Sequence, residues 1–153
     1  MNLALTRNRF LDNAVATAGP QRILTMLYDR LVLDINRAEL AQHAGDRSEA
    51  ARHLDHAQDI VSGLVSTLDV EAWDGGQGLM DLYMYLTREL IGCSIAADAD
   101  RTAKCSALVV PLRDAWHEAA AVVAAEAAPA VPIQRNRVNS FGESVLSGEL
   151  GVG

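Results

Sequence analysis

The 153-residue sequence has no apolar run close to the roughly 18–20 residues that a membrane-spanning helix requires. Its first residues, MNLALTRNRF, have no apolar core followed by a cleavage site, so we expect no secretory signal. Only two cysteines are present, Cys93 and Cys105, which is too few for a disulfide framework. We expect both to be reduced thiols packed in a core. These absences predict a cytoplasmic protein that does not insert into membranes.

Positive charge and aromatic residues are also scarce. The 13 Lys and Arg residues are outnumbered by 20 Asp and Glu residues, which gives a formal net charge of −7. An acidic chain has no general attraction to nucleic acid or anionic lipid, so we expect neither as a partner. Aromatic residues make up 5% of the sequence, whereas 50% of it is hydrophobic, with prominent Ala and Leu. That composition favours helices over sheets.

The sequence does contain four stretches with the three- and four-residue apolar spacing of amphipathic helices. Pro20 suits the first turn of the first helix, and Gly45 suits its end. A capping box beginning at Asp46 opens the second helix, and Asp98 or Asp100 caps the fourth. Short connections between such helices predict an all-α, antiparallel up-and-down four-helix bundle. The predicted helices span about 20–44, 47–68, 79–96 and 99–127.

The chain is predicted to have three parts. Residues 1–16 form an N-terminal arm in which Phe10 is the one large apolar anchor. Residues 17–128 form the four-helix bundle. Residues 129–153 begin with two prolines in the first four positions, are then rich in Gly, Ser and Asn, and are predicted to be a disordered tail.

Three local expectations concern the bundle itself. The glycine-rich stretch 69–78 is predicted to be a loop. Pro111 lies inside the fourth helix, where its missing N–H and steric clash cost ~3 kcal/mol, so we expect a kink or a local break. The buried stripe of the fourth helix is predicted to continue through Ala119 and Val123.

Motifs for catalysis, metals and cofactors are weak or missing. His53 and His56 lie three residues apart, but two ligands do not close a zinc site, and we expect a solvated polar face. Asp114 and His117 form one incomplete version of the paired motif of di-metal bundles. The three histidines are phosphotransfer candidates by position alone, and the glycines at 75–78 follow no strand. We therefore expect no cofactor, no metal and no enzyme activity, with a phosphotransfer or metal-binding bundle as the alternative.

Two helices carry more apolar positions than one buried face requires. These extra positions form a second line on each helix, well away from the core stripe. Such lines need to be covered by a neighbouring segment, a second copy or a partner. Methionines suit a groove for a partner's amphipathic segment because they adapt to different apolar shapes. The extra positions are Met26, Leu33 and Leu40 on the first helix and Met80, Met84, Ile91 and Ile95 on the third.

Four blocks of sequence, in order, resemble the motifs of the flagellin-specific export chaperones, the FliS family. They are T-A-G-P leading to L-Y-D within 17–29, S-T-L-D at 66–69, L-M-D-L-Y-M-Y-L at 79–86, and L-R-D-A-W-H-E-A at 112–119. The chain departs from the family pattern at a few places, where other residues are usual. These are Phe10, Gly19, Arg30 and the pair Cys93-Ser94.

The resemblance implies a cytosolic chaperone that binds the disordered C-terminal segment of new flagellin. Such a chaperone blocks premature polymerisation and hands its client to the flagellar export gate, and its N-terminal arm covers part of the binding groove. A chaperone for another exported client, or a structural helical dimer, is the nearer alternative. We expect a monomer or a weak homodimer. Combined with the extra apolar lines, the predicted partner-binding residues are Phe10, Met26, Leu33, Met80, Met84 and Ile91.

Overall fold

Four α-helices account for most of the chain that the computed structural model describes, residues 19–128. A single turn of 3-10 helix, Val70–Ala72, lies between the second and third helices. The predicted arm, including Phe10, and the predicted tail lie outside the described residues. The helices are α1 (Pro20–His43), α2 (Arg47–Thr67), α3 (Gly76–Ala96) and α4 (Ala99–Ala127).

The helices form the predicted four-helix bundle. Each is packed against its two neighbours in the order α1, α2, α3, α4 and back to α1, so α1 and α3 lie on a diagonal. Tyr28 of α1 lies beside Trp116 of α4, and Asn36 accepts a hydrogen bond from Ser106, which makes these two helices antiparallel. The core is filled from all four helices. Its fully buried apolar side chains include Tyr28, Leu31, Ile35, Leu54, Val61, Leu86, Leu90 and Val109.

Local chemistry sets the helix ends close to their predicted positions. The Asp46 carboxylate accepts a hydrogen bond from the Glu49 backbone N–H at 3.0 Å, which satisfies one free donor at the start of α2. Asp98, and not Asp100, caps α4, because its side chain accepts from the Arg101 N–H at 3.1 Å. Gly45 follows α1 with a φ of +74°, a left-handed conformation that glycine adopts without strain.

The loop between α2 and α3 is shorter than predicted. α3 begins at Gly76, three residues before the predicted start, and Val70–Ala72 form their own turn. Gly76 is buried against the backbone of that turn, and a Cβ atom there would lie 2.2 Å from the Val70 carbonyl oxygen. The missing side chain therefore allows the turn to pack on the first residues of α3. This contact outweighs the poor helix propensity of glycine.

A kink or a local break was predicted at Pro111, and the break is wrong, because α4 is one continuous helix from Ala99 to Ala127. Pro111 is exposed, whereas Val109 is fully buried and Leu112 packs on the core. The packing on both sides of the proline holds the helix together despite the missing hydrogen bond.

The predicted buried stripe of α4 is also wrong beyond Trp116. Ala119 and Val123 follow Trp116 on the same face, yet both are exposed among the described residues. Trp116 is the last residue of α4 that packs against the core cluster. Past it, Ala120 is half-buried and the other residues of α4 are exposed.

Candidate functional site

The outer face of α3 carries an uncovered apolar line. Met84 and Ile91 are 47% and 42% exposed, and Ile95 is 76% exposed near the helix end. Met80, one turn before Met84, is half-buried. The spacing of these four residues along one helix face gives the line a length of roughly 22 Å at 1.5 Å per residue. We call these four residues the α3 line.

A second uncovered line follows the outer face of α1. Leu33 is exposed, Leu40 is 68% exposed, and Met26 is half-buried. The seven-residue spacing keeps all three on nearly the same side of the helix. We call these three residues the α1 line.

The fold does not bring the two lines into one groove. α1 and α3 meet across the core, where the Tyr28 and Tyr83 hydroxyls are 2.5 Å apart and Gln42 donates to the Cys93 carbonyl oxygen at 3.2 Å. Their outer faces therefore point to opposite corners of the bundle. A single partner that contacts both lines has to pass around α2 or α4.

The structure adds a third apolar surface that the sequence analysis did not predict. Tyr85 is exposed on the side of α3 that faces α4, four residues before Glu89, which pairs with Arg101 of α4. Leu82 of α3 and Leu108 and Leu112 of α4 are half-buried, and Val122 and Val123 near the end of α4 are exposed. Tyr85 and Glu89 are four residues apart and therefore lie on the same side of α3. Because Glu89 pairs with Arg101, this spacing places Tyr85 beside α4.

A buried polar cluster, also missed in the sequence, joins α1 to α2. Asp34 is fully buried, and Arg30 donates a hydrogen bond to it at 3.0 Å. Nδ1 of His53 lies 3.2 Å from Asp34 Oδ1, and Nδ1 of His56 contacts Oδ2. The prediction of a solvated polar face is therefore wrong for His53, which is buried.

The charged and imidazole groups of the cluster are paired with one another. Burial raises the pKa of the Asp34 carboxyl, but the hydrogen bonds from Arg30, His56 and His53 outweigh burial and hold that pKa below its usual value. On the far side, His53 Nε2 lies 2.9 Å from Glu49 Oε1. A hydrogen bond from Arg52 lowers the pKa of Glu49 to about 2.

These contacts indicate a structural tie, since every ring nitrogen of His53 and both oxygens of Asp34 already have partners. Within residues 19–128 no three His, Cys, Asp or Glu side chains are arranged to hold a metal ion. The remaining candidate, His117, is exposed and pairs with Asp29 at 2.8 Å between α4 and α1. The histidines predicted as phosphotransfer candidates thus link helices.

The tyrosine pair in the core is structural as well. Burial raises the pKa of Tyr28, and burial together with the hydrogen bond between the two hydroxyls raises the pKa of Tyr83. Both hydroxyls therefore stay protonated at neutral pH and join α1 to α3. The polar clusters described so far therefore tie helices together, and the apolar lines remain uncovered in the described residues.

Comparisons with known proteins agree with a binding role. The family model described as "Flagellar protein FliS" matches residues 3–123. The flagellar secretion chaperone FliS of Escherichia coli (strain K12) is 31% identical over 110 residues, which covers 71% of this chain and 81% of the relative. The protein of the same name from Salmonella typhimurium (strain LT2) is 30% identical over 112 residues, covering 71% and 82%.

A third relative carries the same name. The flagellar secretion chaperone FliS of Bacillus subtilis (strain 168) is 32% identical over 112 residues, covering 72% of this chain and 82% of the relative. In addition, none of the helices described within residues 19–128 is long and apolar enough to cross a membrane.

Proposed function

Because the chain belongs to the FliS family, we propose that it is a cytoplasmic export chaperone that binds the disordered C-terminal segment of flagellin. By holding that segment it prevents premature polymerisation, and it then escorts flagellin to the flagellar export gate. The relatives are flagellar secretion chaperones, and the chain itself is a chaperone and not an enzyme.

The observation that carries the proposal is the α3 line. It is long, shallow and apolar, and Met80 and Met84 give it side chains that adapt to a partner. A disordered client spends part of its contact energy on becoming ordered. It therefore needs many apolar contacts along a track, and each buried side chain contributes ~1.5–3 kcal/mol before that cost.

The diagonal position of the two lines supports a client that wraps the bundle. Met84 and Ile91 form the main contact, and Met26 and Leu33 take a second part of the same segment after it has passed around a neighbouring helix. Short client helices and extended stretches suit such a path. Phe10, in the N-terminal arm, acts as a displaceable cover over part of the track.

The test is a calorimetric titration of the full chain with flagellin and with flagellin that lacks its C-terminal segment. We expect saturable binding of the first and none of the second. Equal binding of both would overturn the assignment of the C-terminal segment. Failure of both, together with failure of flagellin to co-purify from cells, would favour a chaperone for another exported client. Light scattering of the complex would show whether the chain works as a monomer or as a weak homodimer.

A further inference from the structure

The two cysteines face each other across the hairpin of α3 and α4. Both are free and buried, and their Sγ atoms are 3.8 Å apart. The S–S bond of a disulfide is about 2.05 Å long, so the two sulfurs need to approach by only about 1.8 Å. Two reduced thiols in the core were predicted, and the close approach of the sulfurs follows from the way the hairpin packs.

Small residues bring the helices together at this end of the hairpin. Ala97 and Asp98 alone connect α3 to α4, with Ala97 in the left-handed region at a φ of 52°. The Arg101 guanidinium crosses Gly92, where a Cβ atom would lie 2.4 Å from it. From there Arg101 donates two hydrogen bonds to Glu89, at 2.9 and 3.1 Å. This ion pair holds the hairpin closed beside the sulfurs.

The pair also has an asymmetry that suits thiol chemistry. The hydrogen bond from Cys105 lowers the pKa of the Cys93 thiol despite its burial. The same hydrogen bond, together with burial, raises the pKa of Cys105. Since the thiolate is the nucleophile, Cys93 is the sulfur that reacts first.

We propose that Cys93 and Cys105 are a modification site, at which a two-electron oxidant of the peroxide class forms a reversible disulfide between α3 and α4. The Cys93 thiolate attacks one peroxide oxygen and the O–O bond breaks, which yields a sulfenic acid and, after protonation, water. The Cys105 sulfur then attacks the sulfenic sulfur, and its proton leaves with the hydroxyl as a second water. The two thiols are oxidised, and hydrogen peroxide is reduced to two waters.

The burial of the two sulfurs slows their oxidation but does not prevent the disulfide from forming. Cys93 is fully buried and Cys105 is 3% exposed, so peroxide reaches them when the end of the hairpin opens locally. The reaction is therefore slow compared with that of an exposed thiol. The disulfide closes a short loop in the unfolded chain and raises the thermal unfolding midpoint by roughly 5–10 °C.

The modification leaves the α3 line in place. Ile91 lies about 160° around the helix from Cys93 at 100° per residue, so it faces away from the sulfurs. A dithiol reductant reverses the bond. The proposal does not depend on the client, and its test does not involve flagellin.

The experiment treats the full chain with hydrogen peroxide and measures the intact mass, the thiol count after denaturation and the tryptic peptides. We expect a loss of two hydrogens and no titratable thiol. Peptide 89–101 should be linked to peptide 105–113, and dithiothreitol should restore both. Cys93→Ser and Cys105→Ser should each lose the link, and the wild-type measurements stand even if a variant folds poorly.

Three outcomes would overturn the proposal. They are two thiols that remain titratable after prolonged oxidation, over-oxidation of Cys93 without a linked peptide, and a disulfide between two chains that replaces the one within the chain. An unchanged thermal midpoint in fully linked protein would overturn the stabilising consequence.

Discussion

The seam between α1 and α2 and the outer face of α3 use their side chains in opposite ways. At the seam, a fully buried carboxylate, Asp34, has every oxygen satisfied by cationic or imidazole groups. On the outer face of α3, Met84 and Ile91 are large apolar side chains with no cover in the described residues. The seam is closed and specific, so it holds the scaffold. The α3 line is open and adaptable, so it is free to bind a partner.

The largest loss of stability is expected from a variant that removes the buried carboxylate from the seam between α1 and α2. Asp34→Ala removes the carboxylate that joins Arg30, His53 and His56, and leaves the buried Nδ1 of His53 unpaired. We expect a loss of about 3–5 kcal/mol in the free energy of unfolding, measured by urea denaturation. Asp29→Ala is the matched control on the same helix, because its partner His117 is exposed and its loss costs ~0–1 kcal/mol. Equal effects of the two variants would contradict the structural role of the seam.

Variants at two adjacent residues of α3 should affect stability and flagellin binding separately. Leu90 is fully buried and Ile91 is exposed. Leu90→Ala is expected to cost about 2–5 kcal/mol of unfolding free energy, because it opens a cavity in the core. Ile91→Ala is expected to change stability by less than ~0.5 kcal/mol and to weaken flagellin binding. Urea denaturation measures the stability of both variants, and titration with flagellin measures their binding. A Leu90→Ala variant that keeps its stability but loses binding would contradict the separate roles of the two residues.

Acid should weaken the seam before it affects the α3 line. Because the folded-state pKa of Asp34 is lowered, its contribution is present above its unfolded value of about 3.9 and is lost as the pH falls through the folded-state value. The free energy of unfolding should therefore fall as the pH drops below about 4. Asp34→Asn should flatten that dependence. If the free energy of unfolding of the wild type depends on pH as weakly as that of Asp34→Asn, the proposed role of Asp34 is contradicted.

Much of the fold was predictable because helical spacing is a local property. The buried phase of α1 follows from residues such as Leu31 and Ile35, and the start of α2 follows from Asp46. The exposure of Leu33, Met84 and Ile91 follows from the same helical phase. Their role in binding stays a prediction.

The misses depend on contacts between segments that are distant in sequence. Asp34 lies next to the buried phase of α1, but its partners on α2 are fixed only when the helices pack. The exposed end of α4 depends on where its neighbours stop, which the apolar stripe of Val123 does not reveal. The early start of α3 rests on the close contact of Gly76 with Val70, which outweighs local propensity.

The most direct test of the central claim is a titration of flagellin into the variant Met84→Glu/Ile91→Glu. Two charges on the α3 line remove two apolar contacts, so we expect binding at least ~100-fold weaker, with unchanged helix content and thermal midpoint. Ser62→Glu/Ser66→Glu adds the same charge to exposed polar positions of α2 without removing an apolar contact, so it should weaken binding far less than Met84→Glu/Ile91→Glu does. If the folded Met84→Glu/Ile91→Glu variant binds flagellin with wild-type affinity, the α3 line is not the client site.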